Sequence, residues 1–205
     1  MGSTRMSKKR IVITGLGMVS PLGNTVADNW NNLLAGVSGI GPITRFDASN
    51  LACQIAGEVK DFDITQYIPA KEARRMDVFI HYGIAAAFQA IEDAGLDNIE
   101  GLDKTRVGVN IGAGIGGLPS IEATGADVIA GGIRKINPFF IPGSLINLIA
   151  GHVTIMKGYQ GPSYGIVSAC TTGAHCIGDA ARMIAYGDAD IMIAGGAEGA
   201  ICTLG

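Results

Sequence analysis

Tyr164-Gly165-Ile166-Val167-Ser168-Ala169-Cys170-Thr171-Thr172-Gly173-Ala174-His175-Cys176-Ile177-Gly178-Asp179-Ala180-Ala181-Arg182 sets an apolar run directly before a segment of helical character, with Cys170 at the change. The reading is a strand that gives way to a helix, with one thiol buried at the junction. The first N–H groups of a helix have no intrahelical acceptor, and the helix start carries partial positive charge. Both favour a thiolate over a thiol and offer donors to a nearby oxyanion. A cysteine placed there is a candidate nucleophile. The competing reading is a buried structural cysteine, a common place for this residue type.

Outward from this junction, short β-branched runs alternate with longer amphipathic ones. Strands are expected over residues 10–14, 105–111, 164–169 and 190–194. Helices are expected over 25–35, closed by Gly36, over 70–94, ended by Gly95, over 144–156, and from Cys170 to about 186, where Gly187 is the stop. Alternation of this kind defines an α/β domain, with a mostly parallel sheet covered by helices on both faces. Residues 44–69 are less regular and read as a surface excursion. No repeat, linker or low-complexity tract divides the chain, so one domain is expected, and 205 residues suffice for its core.

Composition adds boundaries. Charged residues make up 16% of the chain and apolar ones 48%, against roughly 25% charged in an average globular domain. That is too little charge to coat a lone domain of this size, so part of the surface is expected to be covered by a partner. The 15 Lys and Arg nearly balance 18 Asp and Glu, which argues against nucleic acid as a general ligand. Cys53, Cys170, Cys176 and Cys202 have no C-x-x-C spacing and follow no signal peptide, a pattern of a reducing, cytoplasmic compartment without a zinc site. Cys176 and Cys202 read as small buried apolar residues. The most apolar stretch, 138–157, is interrupted by Pro142, Gly143, Ser144, Asn147, Gly151 and His152, so no membrane helix is expected. Residues 1–6 end in a second Met and read as the remnant of an expression tag.

The 31 glycines contain one rival signal. Gly112, Gly114 and Gly117 satisfy G-x-G-x-x-G after a strand, as in dinucleotide-binding folds. The acidic residue that such a site needs about 20 positions on is missing, since the chain there reads Gly131-Gly132-Ile133-Arg134-Lys135. Gly15-Leu16-Gly17 fails too, because Ser20-Pro21 stands where the third glycine belongs. No nucleotide site is expected.

Ser168-Ala169-Cys170-Thr171-Thr172-Gly173, followed by Ala185-Tyr186-Gly187-Asp188-Ala189-Asp190 and Ala194-Gly195-Gly196-Ala197-Glu198, resembles the β-ketoacyl-acyl carrier protein synthases, most closely the elongating (type II) enzymes of bacterial fatty acid synthesis. Arg10-Ile11-Val12-Ile13-Thr14-Gly15-Leu16-Gly17, Ser20-Pro21-Leu22-Gly23, Gly112-Ala113-Gly114-Ile115-Gly116-Gly117 and Pro138-Phe139-Phe140 fit the same family. The resemblance runs from about Ser7 to Gly205. Members are about twice this length, so residues 7–205 are expected to form the N-terminal half of a thiolase-like fold whose second half repeats it and completes the active site.

The resemblance implies acyl transfer from a carrier protein to Cys170, then decarboxylative Claisen condensation with malonyl-carrier protein, with the Cys170 N–H as one oxyanion donor. It implies no cofactor bound by the enzyme itself, because phosphopantetheine arrives on the carrier. It places Ile115 along the wall of the acyl pocket, where each buried methylene is worth roughly 0.8 kcal/mol; an ordinary core isoleucine is the other reading. It places Phe140 near a partner subunit's pocket across a homodimer interface; an interior aromatic beside Pro138 is the other. The two histidines and the lysine that the family uses are not found in this sequence. His175 stands five residues past Cys170, roughly 140° around the helix axis from it, and His81 and His152 read as hydrogen-bonded structural residues.

Lys71, Arg74 and Arg75 fall at i, i+3 and i+4, on one face of the expected long helix. Positive charge at a helix start opposes the macrodipole. By resemblance these residues, with Arg134 and Lys135, dock the acidic acyl carrier protein; a solvated face is the competing reading. Other classes stay open: a non-catalytic partner like the chain-length factors, which lack the cysteine, an inactive interaction fragment, or a thiolase relative.

Overall fold

The computed structural model describes residues 10–205, so residues 1–6, read as a tag remnant, lie outside the described residues. The elements in chain order are α1 (Val26–Leu34), β1 (Gly41–Pro42), β2 (Ile55–Ala56), α2 (Ala70–Ala73), α3 (Val78–Asp93), β3 (Val107–Gly112), α4 (Leu118–Gly131), α5 (Phe140–Ser144), α6 (Leu148–Lys157), β4 (Ser163–Tyr164), α7 (Thr172–Tyr186) and β5 (Ile191–Gly196). β3 is the centre of a parallel sheet of order β4-β3-β5, paired with β5 from Val107↔Ile191 to Gly112↔Gly196. β1 and β2 pair antiparallel within the excursion.

Every residue of β3 is buried, as a strand covered on both sides must be. Val107, Val109 and Ile111 share one apolar cluster with Ile80 and Ile84 of α3 and Ile149 and Val153 of α6. Each such fully buried side chain contributes about 1.5–3 kcal/mol. The alternate residues Gly108, Asn110 and Gly112 turn to the other face, where the Asn110 amide donates to the Cys176 carbonyl of α7. Small residues are needed there because the helix comes close. A Cβ on Gly112 would lie 2.0 Å from the Ile166 carbonyl oxygen and 2.7 Å from Thr172 Cγ2.

Several expectations are corrected. Residues 10–14 join no sheet. The chain just after them is tied to α3, with the Leu16 N–H donating to Asp93 and the Met18 N–H to Gln89. A groove of about 540 Å³ lies between this segment and β5, with Val12, Ile13, Ala90, Ile177, Ile184 and Ile193 among its lining residues. The free edge of β5 has no strand beside it among the described residues. The expected helix over 70–94 is broken, because the Asp77 N–H donates to the Gly143 carbonyl and its carboxylate caps α3 through the Phe79 N–H. The expected helix over 144–156 divides at Leu145, whose backbone is extended. The strand expected over 164–169 ends at Tyr164. α4 falls where the sequence pattern indicates no element; Pro119 lies in its first turn and Gly132, at φ +76°, closes it. No helix among the described residues is long and apolar enough to cross a membrane.

Candidate active site

Cys170 sits in a single 3₁₀ turn, Ala169–Thr171, that runs directly into α7. Its thiol is exposed. This corrects the expectation of burial in this chain: β4 stops at Tyr164, and residues 165–168 lead from it to the turn without strand pairing. Ala169 has φ +51°, a left-handed conformation that costs a residue with a Cβ about 1–2 kcal/mol. Three bonds hold the turn. The Ser168 N–H donates to Thr172 Oγ1 at 2.9 Å, the Thr171 N–H to the Ser168 carbonyl at 3.1 Å, and Ser168 Oγ pairs with His175 Nδ1 at 2.7 Å. Thr172 is 3% exposed, so its hydroxyl is a fixed anchor.

The glycine loop after β3 lies against this turn. A Cβ on Gly114 would be 3.2 Å from Ala169 Cα. Ile115 is 51% exposed in this chain and outside its apolar core. Its N–H donates to Glu198 Oε2 at 2.8 Å, and the Gly116 N–H donates to Glu198 Oε1 at 3.2 Å. The sequence alone gives Glu198 no role, although it closes the Ala194-Gly195-Gly196-Ala197-Glu198 motif. The signal was a lone acid in an otherwise uncharged stretch.

Phe140 opens α5 and is half-buried, and the Ser144 carbonyl at the end of α5 accepts the Gly117 N–H, which ties α5 to the loop. Of the basic trio only Lys71 lies within a helix, α2, while Arg74 caps it and Arg75 follows. The shared helical face is therefore corrected to one short turn. Lys71 and Arg74 are exposed; Arg75 is half-buried, bridged to Glu72 at 3.0 Å, with its guanidinium 4.4 Å from the Phe139 ring centroid. Arg134 and Lys135 are exposed in the turn Ile133–Lys135, a few residues before Phe139.

The histidines do other work. His81 Nε2 pairs with the Ala73 carbonyl at 2.9 Å, and burial holds the His81 and His152 pKa values below the usual 6.5. Tyr164 OH bonds Asp179, and burial with that bond pushes the phenol up to about 12. Cys176 is buried as expected, whereas Cys202 is only partly so, and what burial it has pushes its thiol up. A cavity of about 970 Å³ lies among Pro21, Arg45, Phe46, Tyr82, Glu198 and Ile201. Neither this cavity nor the groove beside β5 is lined by Cys170 or Ile115.

Residues 8–205 match the family model of the β-ketoacyl synthase N-terminal domain. The chain belongs to that family. It is 56% identical to the 3-oxoacyl-[acyl-carrier-protein] synthase 2 of Vibrio harveyi over 98% of this chain and 48% of the relative, and 48% identical to that of Synechocystis over 97% and 48%. The chain spans about half the length of the curated relatives it matches. Among solved structures, the ishigamide ketosynthase/chain length factor superposes with a TM-score of 0.84 at 27% identity, covering 97% of this chain and 49% of that one. A type II polyketide ketosynthase in complex with its acyl-carrier protein superposes at 0.82 with 28% identity, over 97% and 54%. The thiolase-like fold class, in half-length form, is thereby shown for this β-ketoacyl synthase domain.

Proposed function

We propose that this domain is the nucleophile-bearing half of a 3-oxoacyl-acyl carrier protein synthase of fatty acid elongation. One observation carries the reading: an exposed Cys170 thiol just ahead of α7, on a left-handed turn pinned by Thr172 and bordered by the glycine loop. The sulfur attacks the carrier-bound acyl thioester, a C–S bond forms, and the tetrahedral oxyanion collapses with loss of the carrier's phosphopantetheine thiolate, which takes up a proton. Malonyl-carrier protein then loses CO2. The electron pair of the broken C–C bond attacks the acyl carbonyl, and the Cys170 thiolate leaves with 3-oxoacyl-carrier protein as product. The Cys170 N–H is one oxyanion donor. The second donor, two histidines and a lysine come from a second half outside this sequence.

In this reading Ile115 borders the acyl chain, and Phe140 approaches the partner's pocket in a homodimer. Lys71, Arg74, Arg75, Arg134 and Lys135 dock the carrier protein, and the enzyme works in the cytoplasm. The exposed Val12, Ile13, Leu16, Leu33 and Leu34 support a covering second half. The test uses Cys53 as an internal control, because both thiols are exposed. Treatment with iodoacetamide or cerulenin near neutral pH, with peptide mapping, should modify Cys170 well ahead of Cys53. Equal rates at the two thiols would overturn the reading.

A further inference from the structure

Glu198 is the feature of the site that the reaction as described leaves unused. It stands just past the end of β5, and no Lys or Arg pairs with it among the described residues. Its carboxylate is instead shared between two successive backbone N–H groups, Ile115 to Oε2 at 2.8 Å and Gly116 to Oε1 at 3.2 Å. The two successive N–H groups thus meet one carboxylate, each at its own oxygen, and Gly116 itself has φ +84°. Charge-assisted bonds of this kind are about twice as strong as neutral ones. The loop is also held by the Ala197 N–H to the Gly112 carbonyl, the Gly117 N–H to the Ser144 carbonyl and the Leu118 N–H to the Gly116 carbonyl. Between them, Gly114 fits into the space left by two neighbours: a Cβ there would lie 3.0 Å from Glu198 Oε2 and 3.2 Å from Ala169 Cα. One carboxylate thus sets how far the middle of the loop stands from the turn that holds Cys170.

We infer that Glu198 is a positioning residue for acyl-chain specificity: its carboxylate fixes the backbone of Ile115, and thereby the distance between the pocket wall and the acylated sulfur. The inference rests on the synthase reading, in which Ile115 borders the acyl chain. Without the carboxylate the loop relaxes toward the space Glu198 vacated, and the wall shifts while Cys170, anchored from α7, stays in place.

The experiment uses the complete enzyme carrying Glu198→Ala or Glu198→Gln. Glu198→Gln keeps shape and one acceptor, so it folds where the alanine variant fails. kcat/KM is measured for acyl-carrier proteins that differ by two methylenes, together with the iodoacetamide rate at Cys170. The expected result is a change of at least about threefold in the ratio of long to short substrates for Glu198→Ala, a smaller change for Glu198→Gln, and alkylation within twofold of the parent. A uniform fall for all lengths, an unchanged ratio, or loss of folding in both variants would each overturn the inference, the first and last by making Glu198 purely structural. Failure of the parent enzyme to acylate Cys170 would instead overturn the synthase reading itself.

Discussion

Thr172→Val separates the geometry of the nucleophile turn from the stability of the domain. Thr172 is 3% exposed, its Oγ1 accepts the Ser168 N–H at 2.9 Å, and its Cγ2 faces Gly112, where a Cβ would come within 2.7 Å. Valine keeps the shape and that methyl contact but removes the acceptor, leaving a partly buried N–H without a partner at a cost of about 1–2 kcal/mol. The bond spans Cys170, so its loss falls on the left-handed Ala169 turn, which already stores strain. If the whole cost acts on the reactive geometry, the rate of attack by the sulfur drops about five- to thirtyfold. Thr172→Ser gives the reverse pattern: the hydroxyl stays, the methyl goes, and about 1 kcal/mol of stability is lost with the turn intact. The assay is the second-order rate of iodoacetamide at Cys170, read by peptide mass with Cys53 as reference, alongside urea midpoints. Parent-like alkylation in Thr172→Val, or equal slowing in Thr172→Ser, would refute the claim that this hydroxyl holds the nucleophile.

Two further outcomes are expected. Arg74→Glu, at an exposed position, should raise KM for acyl-carrier protein several-fold while leaving kcat and Cys170 alkylation unchanged; an unaltered KM removes Arg74 from the docking surface, whereas Arg75→Glu is a poorer probe because it also breaks the Glu72 bridge and the Phe139 contact. Burial lowers the pKa of His81 and His152 beneath 6.5, so the unfolded chain binds protons first and stability falls as pH drops below that value through the depressed folded pKa values; thermal melts from pH 7.5 downward should show the loss beginning there, and a His81→Gln variant with an identical pH profile would exclude His81 as its source.

The sheet and its covering helices were legible because β3 and β5 carry apolar runs with glycine stops and α1 and α7 carry both periodicity and terminators: α1 ends at Gly36, φ +68°, and α7 at Gly187, φ +89°. The misreadings share one cause. Helical periodicity continues across Arg74–Asp77 and across Leu145, and only tertiary bonds, such as the Asp77 N–H to Gly143, interrupt it. α4 was hidden because Gly125 and Gly131 lower its propensity within a glycine-rich region, while Pro119, acceptable in a first turn, reads as a breaker from sequence. The strand-to-helix change at Cys170 was legible by position, but not its exposure, nor that β4 ends at Tyr164 after pairing with Val109 and Asn110. Glu198 was invisible as a partner because its bonds run to residues more than 80 positions away.

The position of Cys170 follows from side chains that are absent. On the α7 face of the sheet β3 presents Gly112, and the start of α7 presents Gly173 to Gly196 of β5, where a Cβ on Gly196 would lie 3.0 Å from the Gly173 Cα. That close approach brings the helix start down onto the ends of β3 and β5. From there the two strand exits, the glycine loop at Gly114 and the Ala197–Glu198 segment, reach the turn before the helix. Any residue larger than glycine at 112 or 196 would lift α7 by a few tenths of an ångström or more. The turn that carries Cys170 would shift with it, and the space beside Gly114, where a Cβ would lie 3.2 Å from Ala169 Cα, would change. The glycines that resemble a nucleotide motif thus serve close packing: Gly112 lets the start of α7 approach, Gly114 sits beside the strained Ala169 turn and Glu198, and Gly117 packs on Ser144.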